Sequence, residues 1–185
     1  MKVDTPEWDE YFLVDELNEG PDFVSLDKNN NSKHTYYYSE ITNGGWMKTY
    51  TYSKKVSNID INKLWDVWSD INRWHTWQND LDYASLDGDF KEGNFFFLKP
   101  KGGPKVKIQL LKVVPNKQFI DLTTFPLAKM YGDHDFIVYG DEIEIKTTMT
   151  IEGPLAFLWN KIVMEGIVKK LDSQTDNLIK KATQG

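Results

Sequence analysis

"INKLWDVWSDINRWHTWQND", residues 61–80, decides how the rest of the chain is read. Ile61, Leu64, Trp65 and Trp68 recur at helical spacing, and Asp60 stands just ahead of them as an N-cap. The pattern predicts a helix of about ten residues, followed by a short second helical turn over "NRWHTWQND". Trp65 and Trp68 share the apolar face of that helix and are expected in the core. Trp74 and Trp77 follow in the turn, where two readings stay open: plain packing, or lining the mouth of a pocket.

Working outward, "MKTYTYSKKV" (47–56) alternates in polarity and reads as a strand before the helix. After the helix come strand-like runs separated by turn signals: "DYASL", "NFFFLK", "KVKIQLLKVV", "QFIDLTTF", "KMYGDHDFIVY" and "IEIKTTMTI". In the last run Ile143, Ile145, Thr147, Met149 and Ile151 share one face. Gly153-Pro154 then opens a long helix to about Ala182, with Pro154 suited to its first turn. Its expected inward stripe is Trp159, Val163, Ile167, Leu171, Leu178 and Ala182, with Lys169, Lys170, Lys180 and Lys181 off it. An antiparallel sheet with one apolar face needs a cover, and the long helix is the element left to supply it.

The chain divides in composition near Trp46. Residues 1–46 hold 3 lysines against 10 carboxylates, whereas the remainder holds 19 basic and 18 acidic groups. The first part reads as an acidic arm, with a short helix from Thr5 as N-cap and one aromatic strand in "HTYYYSEI", and it can serve as a protein-binding segment. Residues 47–185 read as one domain. Neither part offers the basic stripe that binding to a phosphate backbone requires, which argues against nucleic acid as a partner. No apolar run approaches the ~20 residues of a membrane span, and the polar N-terminus is not a secretory signal. Cysteine is absent, which excludes disulfides and thiolate chemistry and makes the cytoplasm the expected compartment.

The order of elements, together with "INKLWDVWSDINRWHTWQND", "LDGDFKEGNFFFLKPKGGPKVKI", "MYGDHDFIVYG" and "IEGPLAFLWNKIV", resembles the helix-grip fold of the START and birch-pollen-allergen superfamily. Within it the chain is most similar to the polyketide cyclase/dehydrase and lipid-transport family. The resemblance spans residues 47–185. It implies an α+β architecture: a curved antiparallel sheet of about seven strands around a long C-terminal helix, with two short helices after the first strand. It also implies an apolar cavity between sheet and helix that holds lipids, polyketides or other flat hydrophobic molecules. No cofactor is expected.

On that frame the ligand-lining candidates are Trp74, Trp77, Met130, His134, Phe136, Trp159 and Val163. His134 is the leading polar group, because alternation puts Met130, Gly132, His134, Phe136 and Val138 on one face. Three roles stand open for it: a buried ring satisfied by neighbours, a ligand contact, or a general acid or base. Asp133 and Asp135 point to the opposite face and do not pair with it. Tyr131 and Thr123 are further candidate anchors, and Glu165 is placed on the solvent side of the last helix. Three histidines without metal-ligand spacing make a zinc site improbable, and "KPKGGPK" lacks the ending of a phosphate loop. The expected function is binding of a small hydrophobic molecule. A cyclase or dehydratase using the same cavity, and an interaction module acting through residues 1–46, are the alternatives.

Overall fold

The computed structural model describes the backbone of residues 25–26, 32–42 and 45–184, and side chains from Trp46 to Gln184. The helix expected from Thr5 lies outside the described residues. One antiparallel sheet organises the rest. Its strands are β1 (Ser25–Leu26), β2 (Ser32–Thr42), β3 (Gly45–Ser57), β4 (Leu81–Leu86), β5 (Phe95–Pro100), β6 (Val106–Val114), β7 (Gln118–Phe125), β8 (Ala128–Tyr139) and β9 (Glu142–Gly153), in the order β1-β2-β3-β9-β8-β7-β6-β5-β4. β3 to β9 are the seven strands the sequence predicts. β1 and β2 extend the sheet beyond β3, where β2 continues the ladder from Lys33 opposite Lys54 to Thr42 opposite Gly45.

Between β3 and β4 lie α1 (Ile61–Ser69) and a 3-10 helix (Ile71–Thr76). Asp60 caps α1 as expected, its carboxylate accepting from the backbone N–H of Asn62 at 2.8 Å. Leu64, Trp65 and Trp68 are buried on its sheet-facing side. The strands form because alternation matches the pleat: Phe119 and Thr123 on β7, Met130 and Phe136 on β8, and Ile143 to Ile151 on β9 all turn to one face and are buried.

The C-terminal helix is present but not uniform. α2 (residues 156–168) passes through a π turn, Asn160–Met164, and α3 (Leu171–Gln184) follows a break at Lys169 and Lys170. The π turn holds more residues per turn than an α-helix, which rotates the buried face. Ala156, Asn160 and Met164 therefore face the core, and the expected Trp159, Val163 and Ile167 are half-buried beside them. Past the break Leu171, Leu178 and Ala182 are buried as the stripe predicts, with Thr175 among them.

Two hairpin positions join this helix to the sheet. Leu127, at the tip between β7 and β8, takes φ 54° and its carbonyl accepts from the Leu155 N–H at 3.1 Å. Gly153 has φ 123°, and a Cβ there would lie 2.6 Å from the Leu127 carbonyl oxygen, so only glycine fits this approach. No helix among the described residues is long and apolar enough to cross a membrane.

Candidate ligand site between sheet and helix

The helix-facing side of the sheet carries two apolar clusters. The first gathers α1, the 3-10 helix and the end of α3 over strands from β3 to β9, with Trp65, Trp68, Trp74, Trp77, Phe96 and Phe119 among its members. The second gathers α2 over β3, β8 and β9, with Tyr50, Met130, Met149, Ile151, Ala156 and Met164. Where the two meet, the strand registers stack two rows of side chains. Phe119, His134, Thr147 and Tyr52 form one row across β7, β8, β9 and β3. Asp121, Gly132, Met149 and Tyr50 form the next.

His134 is held on four sides. Its ring stacks on Phe119, with centroids 4.3 Å apart and planes 19° apart, and meets the edge of Trp68 at 5.3 Å. Nε2 lies 3.3 Å from Asp121 Oδ2, and Nδ1 lies 3.3 Å from Thr147 Oγ1. One tautomer satisfies both contacts: Nε2–H donates to the carboxylate and the threonine hydroxyl donates to Nδ1. Both side chains of the carboxylate–imidazole pair are largely but not fully enclosed, 16% exposed for His134 and 13% for Asp121.

Gly132 makes room for the pair. A Cβ on it would lie 2.9 Å from both Asp121 Oδ2 and His134 Nε2, closer than real contacts allow. The sequence shows the gap beside His134 but not its occupant, because Asp121 comes from the neighbouring strand. No pattern along β8 could have found it. The signal was a lone aspartate in "QFIDLTTF", sharing a face with Phe119 and Thr123.

A second buried polar chain comes from the helix. The Tyr50 hydroxyl donates to Asn160 Oδ1 at 3.1 Å, and Asn160 Nδ2 donates to Glu165 Oε1 at 2.9 Å. Glu165, expected as a solvated carboxylate, instead orients Asn160. The π turn explains the correction, since it rotates these two positions relative to a regular helix.

The other candidates distribute between the clusters. Met130 belongs to the second cluster and Phe136 to the first, flanking His134 along β8. Trp159 and Val163 border the second cluster; Trp159 stacks on Phe125 at 4.6 Å and donates its N–H to the Pro126 carbonyl at 3.0 Å. Trp74 and Trp77 sit in the first cluster, edge-on to one another at 6.1 Å, with Trp74 also edge-on to Phe96. The Trp74 N–H donates to the Trp68 carbonyl at 2.8 Å, which closes the turn. The Trp77 N–H is buried with no hydrogen-bond partner among the described residues.

Thr123, only 3% exposed, shares the inner face, whereas Tyr131 lies on the outer one. There the Tyr131 hydroxyl donates to Glu152 at 3.0 Å; burial and then the neighbouring carboxylate push its ionisation upward. Asp135, also outward, is pushed up by burial and by Asp133. No group of three or more His, Asp or Glu suited to a metal ion occurs among the described residues.

No protein-family model matches the sequence, and no curated protein does. Solved structures do. Norcoclaurine synthase from Thalictrum flavum, in complex with dopamine and hydroxybenzaldehyde, is 15% identical, with a TM-score of 0.60 over 75% of this chain and 87% of the other. Ara h 8.0201 is 11% identical, with a TM-score of 0.56 over 74% of this chain and 99% of the other. A hypothetical protein from Helicobacter pylori is 14% identical, with a TM-score of 0.58 over 71% and 86%. The architecture is thus a helix-grip fold, as the sequence resemblance implied.

Proposed function

We propose that the protein binds a small, mainly hydrophobic molecule between its sheet and α2. The observation that carries this reading is the enclosed polar pair Asp121–His134 at the seam of two apolar clusters. Apolar walls with a few placed polar groups are what small-molecule sites use, which supports this reading. A fold with no need of a ligand gains nothing from a half-satisfied carboxylate there, because desolvating it costs stability. Met130, His134, Phe136, Trp159 and Val163 line the proposed site, with Trp74 and Trp77 in the packed wall beyond Phe119. The matching synthase holds two small aromatic molecules on the same fold, which agrees with this reading.

The test is native mass spectrometry of the gently purified full-length chain, with solvent extraction of what is released. A discrete hydrophobic mass, absent from the Gly132→Val variant, is the expected result. A clean apo mass, unchanged by a panel of lipids, sterols and aromatic polyketides, would overturn the proposal.

One observation favours an enzyme on the same site: a carboxylate hydrogen-bonded to an imidazole can hold or move a proton. In this arrangement both ring nitrogens of His134 are engaged, so Asp121 is the group that faces a substrate and His134 positions it. Full turnover by His134→Gln on a substrate found by extraction would exclude that role.

A further inference from the structure

We infer that the polar end of the ligand is a hydrogen-bond donor, by preference an amine, and that Asp121 receives it. The inference rests on the binding reading above and goes on to name the ligand's head group.

A carboxylate accepts and never donates, and it has room for about four hydrogen bonds. Asp121 receives one, from His134 at 3.3 Å. Among the described residues it has no other hydrogen bond and no ion pair with a lysine or arginine. Its neighbours on the inner face are neutral: Phe119 and Thr123 on its own strand, Leu110 opposite on β6, and Gly132 opposite on β8. Thr147 spends its hydroxyl proton on His134 Nδ1 in the tautomer that satisfies both contacts. The pair therefore presents unused acceptor capacity and a negative charge to the seam between the clusters.

Among the described residues, three charged groups on this side have partners of their own. Lys54 pairs with Asp176 on α3 at 2.8 Å, Lys48 lies over the Tyr50 ring at 5.0 Å, and Glu165 holds Asn160. A carboxylate-headed ligand such as a fatty acid would bring a second negative charge to Asp121, and like charges at close range in an enclosed site are mutually unfavourable. An alcohol or phenol supplies one neutral bond. An ammonium supplies a charge-assisted bond and cancels the charge, the stronger interaction by about twofold per bond.

The experiment uses three probes with one apolar body: 2-naphthylmethylamine, 2-naphthylmethanol and 2-naphthoate. Each is titrated calorimetrically into the full-length protein at neutral pH, with and without Asp121→Asn. The amine is expected to bind tightest and the carboxylate weakest, with about a tenfold step between amine and alcohol. Asp121→Asn, which keeps the shape, should abolish the amine's advantage while the alcohol still binds. Equal binding of amine and carboxylate to the wild-type chain would overturn this inference and leave the binding site standing, and it needs no variant to be read. An unchanged amine-to-alcohol ratio in Asp121→Asn would also overturn it. Failure of all three probes would count against the site itself and the inference with it.

Discussion

The two apolar clusters share one sheet but are built on different principles. The first is closed by rings on rings: Trp68 lies 4.4 Å from Phe136 and 5.2 Å from Phe119, while Phe90 and Trp65 close on Phe119 from the side. Leu64, Phe96 and Phe119 within it are fully buried. The second has fewer buried members, among them just two rings, Tyr50 and Tyr52. It buries Asn160 beside Met164, bends its helix through a π turn, and leaves Leu127, Phe157, Leu158 and Ile162 exposed at its end. Aromatic density marks the part of this molecule that holds the fold. Polar groups that an apolar surface must accommodate mark the seam where we place the proposed site.

The sharpest way to break this contrast is to remove one indole from each region. Trp68→Ala deletes the ring that touches Phe119, Phe136 and His134, and should cost about 3–5 kcal/mol in urea unfolding. Trp159→Ala removes a half-buried ring with one stacking partner and one hydrogen bond, and should cost about 1–2 kcal/mol. Equal losses would mean that the second cluster is as tightly built as the first.

Gly132→Ala probes the seam itself. The new Cβ must displace Asp121 or His134, at an expected cost of about 1–3 kcal/mol from overpacking. Loss of bound hydrophobic probe should exceed what that destabilisation alone produces. Retained binding with stability reduced would place the site away from the pair. Tyr50→Phe sharpens the helix side: it removes the donor to Asn160 and leaves a buried amide oxygen short of a partner, worth about 1–2 kcal/mol by denaturant titration.

The same contrast explains what the sequence disclosed. α1, its Asp60 cap and the seven strands β3 to β9 follow from local periodicity and turn residues, signals that lie within a dozen neighbouring positions. His134 stood out because its own strand is apolar around it. Asp121 did not, since its partner is a cross-strand neighbour 13 residues away and register is not written in either strand alone. Asn160 was hidden for another reason. A regular helix through Trp159, Val163 and Ile167 predicts a different face, and Asn160 lies inward at the start of the π turn, where Tyr50 and Glu165 hold its amide.

Asp135 offers the smallest and most specific test, on the face of β8 opposite His134. Burial and the Asp133 charge raise its ionisation above the ordinary carboxylate range, with Lys146, His134 and Gln118 acting the other way. A raised value in the folded chain means that the native state holds this proton more tightly than the unfolded one. Its contribution to stability is therefore present below the unfolded value and is lost as pH rises through the folded one. Asparagine mimics the protonated form without titrating. Asp135→Asn should leave Tm unchanged in acid and raise it slightly at neutral pH, an effect below those above. The outer face would thereby prove responsive to charge while ligand binding on the inner face stays as it was. A fall in probe affinity in Asp135→Asn would show instead that the two faces of β8 are coupled through the His134 backbone, and the seam could no longer be treated as independent of the outer surface.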